Sequence, residues 1–296
     1  MKKEVKLDLS GGIKRLKILT NQMVNTRFIG SYKSVFRGRG LEFKDYRSYS
    51  PNDDAAMIDW KASVKSKQLL VKQFEEERNL NIFFLIDVSS SMVYGTGDKL
   101  KMEYVGEIAA TLSFGVLNSG DSIGFILFAD KIIESGHPTT GPVQYHNLVK
   151  ALVNPNNYGG KYDLNEALKY TLSTLKESSI VIILSDFIGL KSGWERYIKM
   201  ISRKFDLIGI MVRDPRDETL PEYSGQAVLE DPYSGKQILV RPELIEDDYK
   251  KYVSKQEQIL KNTFLKANAD FVGLTTDKSF VKAITNLFMK RALRHK

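Results

Sequence analysis

Asp87, Ser89 and Ser91 stand at alternate positions in LIDVSSSMVYG (85–95), one carboxylate and two hydroxyls directly after a run of apolar residues. An Asp-x-Ser-x-Ser spacing in an extended loop can turn alternate side chains toward one point, and such hard oxygen donors suit Mg²⁺, Mn²⁺ or Ca²⁺. A second apolar run ends in IILSDF and supplies Asp186, a carboxylate able to close the other side of such a site. The same residue types also cap helices where a strand feeds a helix. The spacing alone leaves the cap and the metal readings open.

Both runs belong to a longer rhythm. From residue 80 onward short apolar segments alternate with amphipathic ones, the pattern of βαβ units around a mostly parallel sheet. The expected strands are 81–88, 122–128, 179–186, 205–212 and 269–276. Apolar residues at three- and four-residue spacing predict helices over about 99–118, 143–153, 163–176, 193–203, 243–267 and 278–292. A strand over 81–87 that feeds a helix near 99 leaves Asp87, Ser89 and Ser91 at the carboxyl end of the sheet, where open α/β sheets bind their ligands. The expected fold is therefore a doubly wound, mostly parallel α/β sheet over 76–296. Two β-like runs around DPYSG make an inserted hairpin at about 221–243, decorating the sheet's edge. Residues 1–75 read as a smaller module: a basic helix over 10–29, then β-rich sequence in which Ile58 and Trp60 are expected in the core.

Composition removes several function classes. The 296 residues are 42% hydrophobic and 27% charged, ordinary for a globular protein, and contain no cysteine, so no disulfide or thiolate site can form. Neither the N-terminus nor any apolar run is long enough for a leader or a membrane span, and the expected location is the cytoplasm. The net charge of +8 comes from residues 1–40, with ten Lys/Arg against Glu4 and Asp8; residues 41–296 hold 34 basic and 34 acidic residues. A basic arm could meet nucleic acid, anionic lipid or an acidic protein, or simply be a solvated face.

DVSSSM, followed by GDSIGFILFAD, DLNEAL and IILSDF, resembles a von Willebrand factor A domain with a metal-ion-dependent adhesion site. GRGLEFKDYRSYSPNDDAAMIDWKAS, QFEEERN, VRDPRDETLP, LEDPYSGK and FMKRAL are similar to the family called domain of unknown function 58, over about residues 30 to 292. The resemblance implies a metal-bridged binding module: a cation on the loops, completed by an acidic side chain of a partner. Asp87, Ser89 and Ser91 match its first loop and Asp186 its third. The second loop departs. In GGKYDLNEAL, Tyr162 or Leu164 falls where a complete site has threonine, which leaves Asp163 or water to supply that oxygen. The resemblance further implies a MoxR-type AAA+ ATPase as partner, with this chain as adaptor in the remodelling or maturation of other complexes. No phosphate loop accompanies it, since GTGDK (95–99) lacks the required spacing.

Enzyme readings rank below this one. GDSIG (120–124) fits G-x-S-x-G, but Ser122 follows a predicted helix and opens a strand, the reverse of a nucleophile elbow. Nothing favours His137, His146 or His295 as its base. A Mg²⁺-assisted phosphoryl hydrolase on Asp87 and Asp186 is the better enzyme alternative, though no general base can be named. Arginines among the aromatics of LEFKDYRSYSP could hold nucleic acid, but alternation fits a small sheet with one packed face more simply.

Overall fold

The computed structural model describes residues 42–51, 53–75, 80–175, 179–220 and 225–294. The helix expected over 10–29 and the whole of the basic arm, residues 1–40, lie outside them. The chain divides into two compact units, a small one over 36–79 and a large one that holds everything from Leu80 onward.

In the small unit, β1 (Glu42–Ser48) pairs antiparallel with β2 (Leu70–Glu75). Between them a 3₁₀ turn over Ala55–Met57 leads into α1 (Trp60–Ser66), where strand-like alternation was expected. The carboxylate of Asp59 explains the helix: it accepts from the backbone N–H groups of Lys61 and Ala62, both at 3.1 Å, and so satisfies two free donors of the first turn. A helical period redistributes side chains that a period of two would have buried. Trp60 is accordingly 64% exposed and Ile58 only half-buried, and neither is core. Asp53 takes both Arg47 nitrogens at 2.5 and 2.6 Å, and these bonds lower its pKa to about 2.

The large unit is built on a six-stranded sheet of β3 (Asn81–Asp87), β4 (Ser122–Phe128), β5 (Ile132–Thr139), β6 (Ser179–Ser185), β7 (Asp206–Arg213) and β10 (Asp270–Thr275). The order is β10-β7-β6-β3-β4-β5, parallel throughout except at β5. β4 and β6 are buried at every position, as strands covered on both faces must be, which is why they read as unbroken apolar runs. β5 escaped the sequence reading because Gly136 and Pro138 interrupt it. An edge strand tolerates both residues.

Helices α2 (Lys101–Asn118), α3 (Pro142–Leu152), α4 (Leu164–Thr174), α5 (Trp194–Lys204), the single turn α6 (Pro215–Glu218), α7 (Pro242–Lys266) and α8 (Phe280–Arg294) connect the strands. Among the described residues no helix is long and apolar enough to cross a membrane. The chain leaves β3 for β4 on one side and later returns to lay β6 on the other, so the carboxyl ends of β3 and β6 flank the point where the winding reverses. Ile86 pairs with Leu184 in this register, which sets Asp87 and Ser185 level at the sheet's carboxyl edge.

The hairpin of β8 (Ala227–Glu230) and β9 (Gln237–Val240) is a separate two-stranded sheet, not an extension of the large one. Its turn carries Tyr233 to the carboxyl end of the sheet, where the ring meets Gly189 and the hydroxyl reaches Ser91.

One close approach is testable. A β-carbon on Gly124 of β4 would lie 2.7 Å from the Phe83 ring and 2.8 Å from the backbone nitrogen of Pro138. Gly124→Ala is expected to cost about 1–3 kcal/mol by overpacking, read as a lowered midpoint in urea unfolding. A midpoint equal to the parent's would show that the β4–β5 edge yields freely.

Candidate functional site

Asp87 ends β3 and is 1% exposed. Its Oδ1 accepts the backbone N–H of Ser89 at 2.8 Å and its Oδ2 accepts the Ser185 hydroxyl at 2.7 Å. The Ser89 and Ser91 hydroxyl oxygens lie 3.4 Å apart. Backbone bonds tie this loop to its neighbours: Val88 N–H to Phe128 O at 2.9 Å, Gly159 N–H to Val88 O at 2.8 Å and Ser90 N–H to Gly160 O at 3.0 Å. The loops after β3 and β4 and the loop before α4 therefore form one surface.

Asp186 follows β6 and is fully buried. Its Oδ1 accepts Ile188 N–H at 2.9 Å, while its Oδ2 accepts the Lys101 ammonium at 2.7 Å. Lys101 opens α2 and is itself 1% exposed; the same ammonium donates to Asp217 Oδ2 at 2.8 Å. Burial works against the charge on Lys101, but Asp186 and Asp217 outweigh it and raise its pKa. Asp217 also accepts the backbone N–H of Asp214 at 2.9 Å, and Asp214 takes Thr96 through N–H at 2.7 Å and hydroxyl at 2.6 Å. A chain of polar groups, of which Asp186, Lys101 and Asp214 are buried, thus joins the loop after β3 to the ends of β6 and β7.

Asp87 carries no such counter-charge. Burial, and then the neighbouring Asp186, push its pKa up to about 7. Next to it lies Tyr162, one of the two residues expected at the threonine position; it is 2% exposed, and its hydroxyl lies 3.1 Å from Ser185 Oγ. Leu164 is instead the first residue of α4, in the apolar core. Above the serines, the Tyr233 hydroxyl donates to Ile188 O at 2.9 Å and lies 2.9 Å from Ser91 Oγ. Burial also raises Tyr233's pKa, so it stays a neutral phenol. Phe187, directly after Asp186, has a φ of 53°, and packing against the Phe264 and Phe271 rings accompanies this strained backbone.

The structure brings Asp87, Ser89, Ser91 and Asp186 to one place. It leaves Asp163 outside their hydrogen-bond network, because that carboxylate caps α4 by accepting Asn165 N–H at 3.0 Å and pairs with Lys191 at 2.5 Å. Sequence reading missed Lys101, Ser185, Asp217 and Tyr233. Lys101 had a signal: it shares a helical stripe with the buried Val105 and Ile108, where a solvated lysine does not belong. Asp217 and Tyr233 had none, since each meets the site from a distant part of the chain. Ser122 sits at the opposite, amino end of β4, hydrogen-bonded to Asn81 and to Leu80 O, and so is not a nucleophile elbow.

The metal expectation can be tested on these oxygens. Their chemistry suits a hard divalent ion, and each Asp87 oxygen accepts only one bond, from Ser89 or Ser185, but Ser91 is engaged by Tyr233 and Asp186 Oδ2 already holds the Lys101 ammonium. As arranged, the residues do not fit a bound divalent ion; one would have to displace Lys101 from Asp186.

The sequence is 24% identical to the uncharacterized protein Rv1480 of Mycobacterium tuberculosis over 287 residues, 96% of this chain and 90% of that one. It is 36% identical to the uncharacterized protein YeaD of Bacillus subtilis over 78 residues, 26% of this chain and 18% of that one. Among solved structures, the conserved hypothetical protein BatB from Bacteroides thetaiotaomicron superposes with a TM-score of 0.49 at 17% identity, covering 73% of this chain and 100% of that one. A von Willebrand factor type A structure from Catenulispora acidiphila superposes with a TM-score of 0.36 at 15% identity, covering 49% and 35%. Residues 45–259 match the family described as "Protein of unknown function DUF58", and the chain belongs to that family.

Proposed function

We propose that this chain is a protein-interaction module, working as an adaptor for a MoxR-type AAA+ ATPase in the remodelling or maturation of other complexes, in the cytoplasm. The binding face is the carboxyl end of the six-stranded sheet. One observation carries the reading: the loops there are tied into a single surface, with Tyr233 seated on Ser91, and rimmed by the exposed lysines Lys131, Lys161 and Lys191. Such a rim suits an acidic patch on a partner and speeds encounter with it. The identity of the ATPase rests on the family resemblance alone.

A divalent ion bridging the chain to its partner is not carried into this reading, because the Lys101 ammonium already stands on Asp186. The decisive experiment measures association with a MoxR-type ATPase from the same cell, by biolayer interferometry, for the parent and for Lys131→Glu/Lys161→Glu. Lys191 is left intact because it holds Asp163. We expect the double reversal to weaken association about tenfold at low ionic strength and high salt to erase the difference. Equal affinity of parent and variant would move the interface away from this face.

A further inference from the structure

Lys101 is placed where the sequence offered only carboxylates and hydroxyls. Its stem runs through the interior from the first residue of α2, and its ammonium ends 2.7 Å from Asp186 Oδ2 and 2.8 Å from Asp217 Oδ2. Asp186 is the residue that the von Willebrand A resemblance assigns to the cation's third loop. A positive charge is therefore present beside that loop, supplied by the chain itself.

We propose that Lys101 is the resident cation of this site, its ammonium taking the place on Asp186 that the resemblance gives to a divalent ion. Three independent features agree with this. Asp217, from the single turn α6, supplies a second carboxylate to the ammonium, so a monovalent cation is held by two charge-assisted bonds inside the protein. Tyr162 and Ser185 meet at 3.1 Å beside Asp87, a phenol and a hydroxyl that bring no negative charge to a divalent ion there. Tyr233 engages Ser91 and the carbonyl of Ile188, so one of the two loop hydroxyls already has a partner within the chain. A lysine does not exchange with solvent as a metal does, so the face is permanently assembled and indifferent to chelators.

This inference rests on the proposed function only in that both concern the loops after β3 and β6. The association assay decides the face, and a metal titration decides Lys101. The titration uses the full chain and Mn²⁺ alone, with bound ion followed by electron paramagnetic resonance and fold by thermal melting. It compares the parent, Lys101→Met, and Lys101→Met/Asp217→Asn, the last removing one buried carboxylate along with the ammonium. The parent is expected to show no saturable binding at millimolar Mn²⁺. At least one variant is expected to bind about tenfold or more tightly and to melt higher as Mn²⁺ is added. A parent that binds Mn²⁺ as tightly as the variants would overturn the proposal. So would folded variants with no gain in affinity, or variants that Mn²⁺ fails to bring back to a cooperative melt, since a divalent ion would then be unable to stand where the lysine stood.

Discussion

Asp186→Ala is expected to lower the folding free energy by about 3–5 kcal/mol, the usual cost of breaking a buried ion pair by removing one partner. Lys101 would keep Asp217 but lose the fully buried half of its counter-charge, and Ile188 N–H would lose its acceptor. An exposed pair such as Lys169–Glu166 offers the contrast, because solvent screens it and its loss is nearly silent. Urea unfolding of Asp186→Ala and of Glu166→Ala should therefore separate widely. The cost is one of stranding a charge, so replacing both partners by apolar residues, Lys101→Met with Asp186→Leu, should be milder than the two single costs added together. An Asp186→Ala chain as stable as the parent would mean that Asp217 alone satisfies the ammonium. The same reasoning makes Asp186→Ala a poor probe of partner binding, since it damages the fold that presents the face.

Asp87→Asn should stabilise the chain at neutral pH. The folded pKa of Asp87 lies near 7, raised by burial and then by Asp186, against an ordinary carboxylate value near 3.8. Between those values the folded state holds a proton that the unfolded state has released, so stability falls as pH rises from about 4 to about 7. At about 1.4 kcal/mol per pH unit the full loss is on the order of a few kcal/mol. Asparagine escapes the penalty while keeping the geometry: its carbonyl can accept from Ser89 N–H and its amide can donate to Ser185 Oγ, where the carboxylate now accepts. The parent and Asp87→Asn should melt alike near pH 4 and diverge toward pH 7, with the variant the more stable. Parallel melting curves across that range would show that Asp87 is compensated in a way that its neighbours do not reveal.

Much of the fold was legible because its signals are local. β4 and β6 announce themselves as apolar runs of strand length, and α2, α4 and α5 as apolar positions at helical spacing between them. Order along the chain then implied a doubly wound sheet and put Asp87 and Asp186 at its carboxyl end, since alternating strand and helix leaves few other arrangements. Where local patterns compete, the sequence was ambiguous. Trp60 and Ile58 alternate like a strand, yet Asp59 between them caps a helix, and α1 turns Trp60 to solvent. What the carboxylates do was decided only by the tertiary structure. Lys101 precedes Asp186 by 85 residues and Tyr233 follows Ser91 by 142, so no spacing in the sequence couples them. The chemistry of a buried charge depends on its nearest counter-charge in space: in one dimension Asp87, Ser89, Ser91 and Asp186 look like donors awaiting a cation, and in three dimensions the chain has already brought one.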